Sequence, residues 1–181
     1  KNLISIENAF DKYYYTHLIQ FSGILPKEGD LFRNFLLKEV EILNILTLLR
    51  LKKAKFGKDI IKEFIILTGG KLKDTKIMNL ASVDDIDELS KALSKTEYKD
   101  IIVKGIKEFK KNGSFILLET ELYKYLLKQF ILLLHQHPLS IDVILGYMFA
   151  KDIEVRNLNI IVKGRQLGLS EGFIENQLIF E

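Results

Sequence analysis

The chain has 181 residues, enough for one ordinary domain or two small ones, and 48% of them are hydrophobic. It contains no cysteine, which excludes disulfide scaffolds, thiolate zinc sites and cysteine nucleophiles and favours a reducing compartment. The formal net charge of +3 is too small to argue for nucleic acid. We identify no signal peptide, and no apolar run approaches the ~20 residues that cross a bilayer. Any membrane role is therefore expected to be peripheral.

The spacing of apolar residues predicts helices along the whole chain. In order, they cover 3–21, 28–56, 58–67, 85–94, about 96–111 and 115–136, then a long helix through 151–158 and, after Gly168, a short last helix. The helix at 28–56 is apolar on more than one face, which is typical of a central helix. No segment alternates apolar and polar residues as a half-buried strand does. The predicted fold class is all-α.

The chain contains an internal repeat. A shift of 112 residues aligns one set of identical residues, and a shift of 113 aligns a second set after one inserted residue. The pairs are Glu7/Glu119, Lys12/Lys124, Tyr13/Tyr125 and Pro26/Pro138, then Lys38/Lys151, Glu41/Glu154 and Asn44/Asn157. Segments 3–67 and 115–179 are therefore predicted to be two copies of one helical unit.

The repeat predicts the domain organisation. Residues 1–67 form part of a first helical repeat domain, residues 68–114 supply connecting helices, and residues 115–181 form a second helical repeat. Two copies of one helical unit tend to pack with rotational pseudo-symmetry, so that each presents the same surface about a shared axis. We therefore expect pseudo-symmetric helical repeat domains.

Two polar pairs stand on otherwise apolar helices. Glu41 and Asn44 share one helix face at a spacing of three residues, and Glu154 and Asn157 repeat this pattern. They could form a polar functional site, or a buried hydrogen-bond network that fixes how helices cross. A catalytic site is rarely retained in duplicate, so we predict a structural polar network.

Basic residues form the candidate partner interface. They gather at the end of the long helix and in the matching region of the second copy, and comprise Arg50, Lys52, Lys53, Lys55, Arg156 and Arg165. Basic residues are common at helix C-termini, where they are often solvated. Binding to an acidic partner protein is the more specific hypothesis. Binding to nucleic acid is a third hypothesis, which the small net charge and the lack of a recognised motif disfavour.

No catalytic motif is visible in the sequence. We find no Ser/His/Asp set, dinucleotide motif or metal cluster, and His135 and His137 stand at a spacing that places them on opposite helix faces. The sequence therefore predicts no catalytic, cofactor-binding or metal-binding residues, and the protein is not expected to be an enzyme.

Three ordered stretches carry a family resemblance. They comprise 142–147 with Lys151, Glu154, 156–158 and 168–170; the helix from Glu41 to the Arg50-Leu51-Lys52 run; and Leu93 with Thr96 and Tyr98. Together they resemble the C subunit of the A-type (archaeal-type) ATP synthase, whose family includes the d subunit of the V-type ATPase. The resemblance covers nearly the whole chain.

The resemblance implies a function. It implies an all-helical, funnel-shaped subunit of three similar domains, without an active site or cofactor, on the cytoplasmic side of the membrane. Its partners would be the central-stalk subunits and the membrane proteolipid ring, and it would transmit torque for proton or sodium transport. This chain shows two repeat copies and no initial Met, so we expect either a fragment of such a subunit or a shortened relative. The alternative function is a helical-repeat scaffold that binds other protein partners.

Overall fold

The computed structural model describes residues 3–25, 29–69, 74–83, 85–136 and 140–180. These residues form helices and no strand, so the all-α prediction is confirmed. The helices are α1 (Leu3–Ser22), α2 (Gly29–Lys53), α3 (Lys58–Phe64), α4 (Asp74–Ser82), α5 (Ile86–Leu93), α6 (Lys99–Asn112), α7 (Ile116–Gln136), α8 (Ile141–Gln166) and α9 (Glu171–Glu175). The repeat anchors Pro26 and Pro138 lie outside the described residues.

The chain divides into two compact units, Lys1–Glu97 and Tyr98–Glu181. We call them unit 1, with α1 to α5, and unit 2, with α6 to α9. The predicted connecting segment 68–114 is therefore shared between them. Its first part, through α5, packs in unit 1, and α6 packs in unit 2.

Helix α2 is the centre of unit 1, and α1, α3, α4 and α5 all pack against it. On one side, Leu36 and Val40 of α2 form a core with Tyr15 and Ile19 of α1. On other sides, Ile45 and its neighbours are almost fully buried as well. The apolar character of more than one α2 face is explained by this coverage on several sides.

Helix α4 was not predicted as a separate helix. Its apolar residues Ile77, Leu80 and Ala81 recur at helical spacing and are buried. The Asp74 carboxylate accepts hydrogen bonds from the backbone N–H groups of Thr68 (3.2 Å) and Gly69 (3.1 Å), which fixes the approach to the helix. The following helix begins where the sequence predicts, because the Asp85 side chain caps it by accepting from the Asp87 N–H at 3.1 Å.

Helix α7 is the centre of unit 2, between α6 and α8. Its residues Leu118, Leu122 and Leu126 are completely buried. Helix α6 approaches α7 closely at Gly105, where an added Cβ would lie only 2.4 Å from Cδ1 of Leu118. Glycine is therefore required at this crossing by space rather than by backbone conformation.

Candidate functional site

The predicted polar residues do not all have the same environment. Asn44 is buried, and its side-chain amide makes two hydrogen bonds of 2.9 Å to the backbone of Ile66, one to the carbonyl oxygen and one from the N–H. Asn157 is half-buried and does the same with Ile179, at 2.8 and 2.9 Å. In both units the amide thus fastens an extended segment, 22 residues later, to the long helix.

The two glutamates differ from each other. Glu41 is buried, whereas Glu154 is exposed and forms an ion pair with Lys151 on the same helix. The side-chain hydrogen bond to Glu154 raises the pKa of Lys151. The expected burial of Glu154 in a network is therefore not observed. The two helices differ in how they are covered. In unit 1, four helices (α1, α3, α4 and α5) pack on α2, whereas the helices that pack most on α8 in the described part of unit 2 are α7 and α9.

The basic residues at the end of α2 separate into two kinds. Lys52 is buried, and its ammonium donates a 2.8 Å hydrogen bond to the backbone carbonyl of Ala81 in the last turn of α4. Its cationic group therefore joins α4 to α2 inside the unit. Arg50, Lys53 and Lys55 are exposed and form what we call the α2 basic surface.

The backbone of Lys55 has an unusual conformation. Its φ is +59°, in the left-handed region, and the next residue's N–H bonds back to the Leu51 carbonyl at 3.0 Å. Helix α2 consequently ends at Lys53 rather than at the predicted Gly57, which instead precedes α3 as its N-cap. A side chain in this region costs about 1–2 kcal/mol, so a lysine here stands at a place that favours glycine.

The two candidate arginines of α8 lie in different surroundings. The Arg156 guanidinium lies 4.6 Å from the centre of the Tyr123 ring and donates a 2.7 Å hydrogen bond to Asp152. Burial acts to lower the pKa of Arg156, but the bond to Asp152 and the contact with Tyr123 outweigh it and the pKa is raised. Arg165 is exposed and pairs with Glu171 at 2.6 Å.

A cavity of about 420 Å³ in unit 2 was not foreseen from the sequence. Its wall is mostly apolar and comes from α7, α8 and the α9 region, and its charged residues are Glu119, Arg156 and Lys163. The Gln177 side-chain oxygen also belongs to this wall and is buried without a hydrogen-bond partner in the described part of the chain. The side chain of His135, and all of His137, lie outside the described residues.

Comparison with known proteins places this arrangement in a family. The sequence model described as "ATP synthase (C/AC39) subunit" matches residues 1–177. The chain belongs to this family. The resemblance noted from the sequence is thereby confirmed.

Relatives in this ATP synthase (C/AC39) subunit family are named as the C subunit of A-type ATP synthase. The protein from Methanosarcina acetivorans is 38% identical over 98% of this chain and 48% of its own length. Those from Methanocaldococcus jannaschii and Haloferax volcanii are each 30% identical over 98% of this chain, and over 45% and 50% of their own lengths. The chain thus spans about half the length of the curated relatives it matches. No solved structure matches the chain.

None of the helices in the described ranges has the length and apolar character that a membrane span needs.

Proposed function

We propose that this chain is part of a non-catalytic rotor subunit of an A/V-type ATP synthase. In this proposal the subunit links the central stalk to the membrane proteolipid ring and transmits torque that is coupled to proton or sodium transport. It lies at the cytoplasmic face of the membrane and is held there through protein contacts. The observation that carries the proposal is the family match over residues 1–177.

The internal packing suits a part that transmits torque. A coupler must deform little under load, and close-packed helices form stiff bodies on the time average. The α6–α7 crossing leaves no space for a single methyl group at Gly105. The Asn44 and Asn157 amides each fasten the segment that contains Ile66 or Ile179 to the long helix of its unit through two hydrogen bonds. These features support the proposal that each unit is a stiff body.

The α2 basic surface is our candidate contact with an acidic surface of a partner. Arg50, Lys53 and Lys55 are exposed within six consecutive residues. The lysine at position 55 is present despite the backbone cost of its conformation, which supports a use for its side chain. Lys52 is not included, because its ammonium bonds to Ala81 inside the unit. In unit 2, the candidate basic residues are Arg156 and Arg165.

Binding measurements test this proposal. The 181-residue chain is presented to purified central-stalk subunits and to detergent-solubilised proteolipid ring of an A-type ATP synthase. We expect binding that weakens from about 50 to about 300 mM salt, because exposed charges are screened. The triple variant Arg50→Glu, Lys53→Glu, Lys55→Glu should lose affinity by about tenfold or more for the partner that contacts this surface.

The matched control is Lys76→Glu, Lys91→Glu, Lys95→Glu. It makes the same change in net charge on exposed residues of α4, of α5 and of the turn after α5 in the same unit, and it should bind as the original chain does. Equal losses for both triple variants would show that only net charge matters. Absence of binding to stalk and ring at low salt would contradict the rotor role, and binding to unrelated helical proteins instead would favour the scaffold alternative.

A further inference from the structure

The unit 2 cavity combines a buried apolar part with an exposed apolar opening. Tyr123, Ile174 and Ile179 of its wall are buried, whereas Leu167 and Phe173 are 75% and 46% exposed. Its volume of about 420 Å³ lies within the range of small-molecule sites, which is about 300–1,000 Å³. Apolar cavities of only about 150 Å³ already bind molecules the size of benzene. The cavity therefore has both the size and the wall of a small-molecule site.

One polar atom of the wall lacks a hydrogen-bond partner. The side-chain oxygen of Gln177 is buried and accepts no hydrogen bond from the described part of the chain. Native structures contain few such atoms, because a buried acceptor without a hydrogen bond is destabilising. A molecule in the cavity that carries an N–H or O–H group would satisfy this oxygen.

The internal repeat shows which wall positions are particular to unit 2. Under the shift of 113 residues, Gln177 corresponds to Phe64 and Gly164 corresponds to Leu51. The same shift relates the two asparagine clamps, so it identifies structurally matched positions. Unit 2 thus has a polar amide where unit 1 has an aromatic ring, and no side chain where unit 1 has a leucine. The wall differs from its unit 1 counterpart in both polarity and side-chain volume.

The charged wall residues do not require a charged ligand. The Arg156 guanidinium is bonded to Asp152 and lies against the Tyr123 ring. Lys163 is exposed to water, and Glu119 takes part in interactions within the chain. An ion that enters a mostly apolar cavity loses its hydration at a large cost. The cavity therefore favours an uncharged ligand.

We propose that the unit 2 cavity binds a small, uncharged, mostly apolar molecule whose N–H or O–H group donates a hydrogen bond to the Gln177 side-chain oxygen. Burial of the apolar body against the wall supplies the affinity, and the Gln177 oxygen selects for a donor. The wall belongs to unit 2 alone, and the inference does not depend on the rotor role.

A matched pair of probes tests the proposal with the whole chain. Indole has an apolar bicyclic body and one N–H donor, whereas benzothiophene has nearly the same shape and no donor. The chain contains no tryptophan, so indole fluorescence comes from the probe alone. We expect indole to bind saturably at one site per chain, with a Kd on the order of 1 mM or tighter. The affinity of benzothiophene is measured through its displacement of indole.

The variant Gln177→Leu removes the acceptor and keeps a side chain of similar size. We expect it to lower the ratio of indole affinity to benzothiophene affinity by about fivefold, because one neutral hydrogen bond is lost. Use of the ratio cancels the difference in hydrophobicity between the two probes. The control Gln166→Leu, on an exposed residue at the end of α8 outside the cavity wall, should leave the ratio unchanged. Circular dichroism checks that both variants are folded.

Nuclear Overhauser contacts locate the probe in the original chain and need no variant. Indole ring protons should contact the methyl groups of Ile174 and Ile179, which belong to the buried part of the wall. The indole N–H proton should contact the side chain of Gln177. These contacts distinguish the cavity from the other exposed apolar surfaces of the chain.

Several results would overturn the proposal. Indole that does not bind, or that binds without contacts to Ile174 and Ile179, contradicts the site. An unchanged affinity ratio in folded Gln177→Leu, or an equal fall in Gln166→Leu, contradicts the role of the Gln177 oxygen. If Gln177→Leu does not fold, the same role is contradicted by a bound indole whose N–H proton has no contact with Gln177 in the original chain.

Discussion

The side-chain amide of Asn44 satisfies both backbone hydrogen-bonding groups of Ile66, 22 residues further along the chain. The amide nitrogen donates to the Ile66 carbonyl and the amide oxygen accepts from the Ile66 N–H, each at 2.9 Å. Both residues are buried, so neither backbone group could turn to water if the amide were lost. An extended segment is thus held on a helix by one side chain, and Asn157 holds Ile179 in the same way.

Replacing Asn44 by Ala should therefore be costly. Leaving a buried donor and acceptor unsatisfied costs about 1–3 kcal/mol for each group, so we expect Asn44→Ala to lower the free energy of unfolding by about 2–6 kcal/mol. Asn157→Ala should lower the free energy of unfolding by a smaller amount, because Asn157 is only half-buried. Urea unfolding measures the loss. The control Asn34→Ala, on an exposed face of α2, should change the free energy of unfolding by less than about 0.5 kcal/mol. If Asn44→Ala and Asn34→Ala changed it equally, the stabilising role of the Asn44–Ile66 hydrogen bonds would be contradicted.

Gly105→Ala should destabilise unit 2 through overpacking. Its Cβ would lie 2.4 Å from Cδ1 and 2.7 Å from Cβ of Leu118, so α6 and α7 must separate, at a cost of about 1–3 kcal/mol. In a double-mutant cycle, Leu118→Ala should cost less in the Gly105→Ala background than alone. The matched control is Gly172→Ala in α9, which meets no atom within 4 Å and should be neutral or slightly stabilising. Additive effects at 105 and 118 would contradict the close contact.

Lys52→Met should loosen α4 without a general loss of helix. The substitution removes the hydrogen bond to the Ala81 carbonyl, and bonds made by charged groups contribute about 1.5–3 kcal/mol. Hydrogen exchange of residues 74–82 should accelerate. Lys53→Met, one residue along on the exposed side, should leave this exchange unchanged. Equal hydrogen exchange of residues 74–82 in the two variants would contradict the role of Lys52 in holding α4 against α2.

Aspartate substitutions should distinguish the two long helices. Ile45→Asp places a carboxylate at a position that is 1% exposed and should lower the free energy of unfolding by about 3–5 kcal/mol or more. Leu158→Asp, at the corresponding position of α8, should change it by less than about 1 kcal/mol, because that side chain is 55% exposed. Thermal unfolding followed by circular dichroism compares the variants. Similar losses at both positions would show that the face of α8 around Leu158 is covered in solution.

The sequence predicts the fold class and most helices because their signals are local. The extent of α7 follows from its apolar spacing, and the start of α5 follows from the Asp85 cap. Helix α4 was missed because it is short, lies in a polar stretch and depends on packing against α2 and α3. The end of α2 was misplaced because Lys55 adopts a conformation in which glycine is expected.

The candidate site was less predictable, because burial depends on partners that lie far away in sequence. Nothing local distinguishes Glu41 from Glu154, or Lys52 from Lys53. The position of α4 makes Lys52 an internal donor, and the unequal coverage of α2 and α8 leaves Glu154 exposed. The unit 2 cavity has no simple sequence signal, since its wall combines residues of α7, α8 and the α9 region.

The central claim is that this member of the ATP synthase family joins two partners, and a bridging measurement tests it most directly. Central-stalk subunits and detergent-solubilised proteolipid ring are mixed with and without the 181-residue chain, and native mass spectrometry determines the composition of the complexes. The account predicts a complex that contains stalk, chain and ring and that forms only when the chain is present. Stalk–ring complexes of equal abundance without the chain, or a chain that binds neither partner, would contradict it.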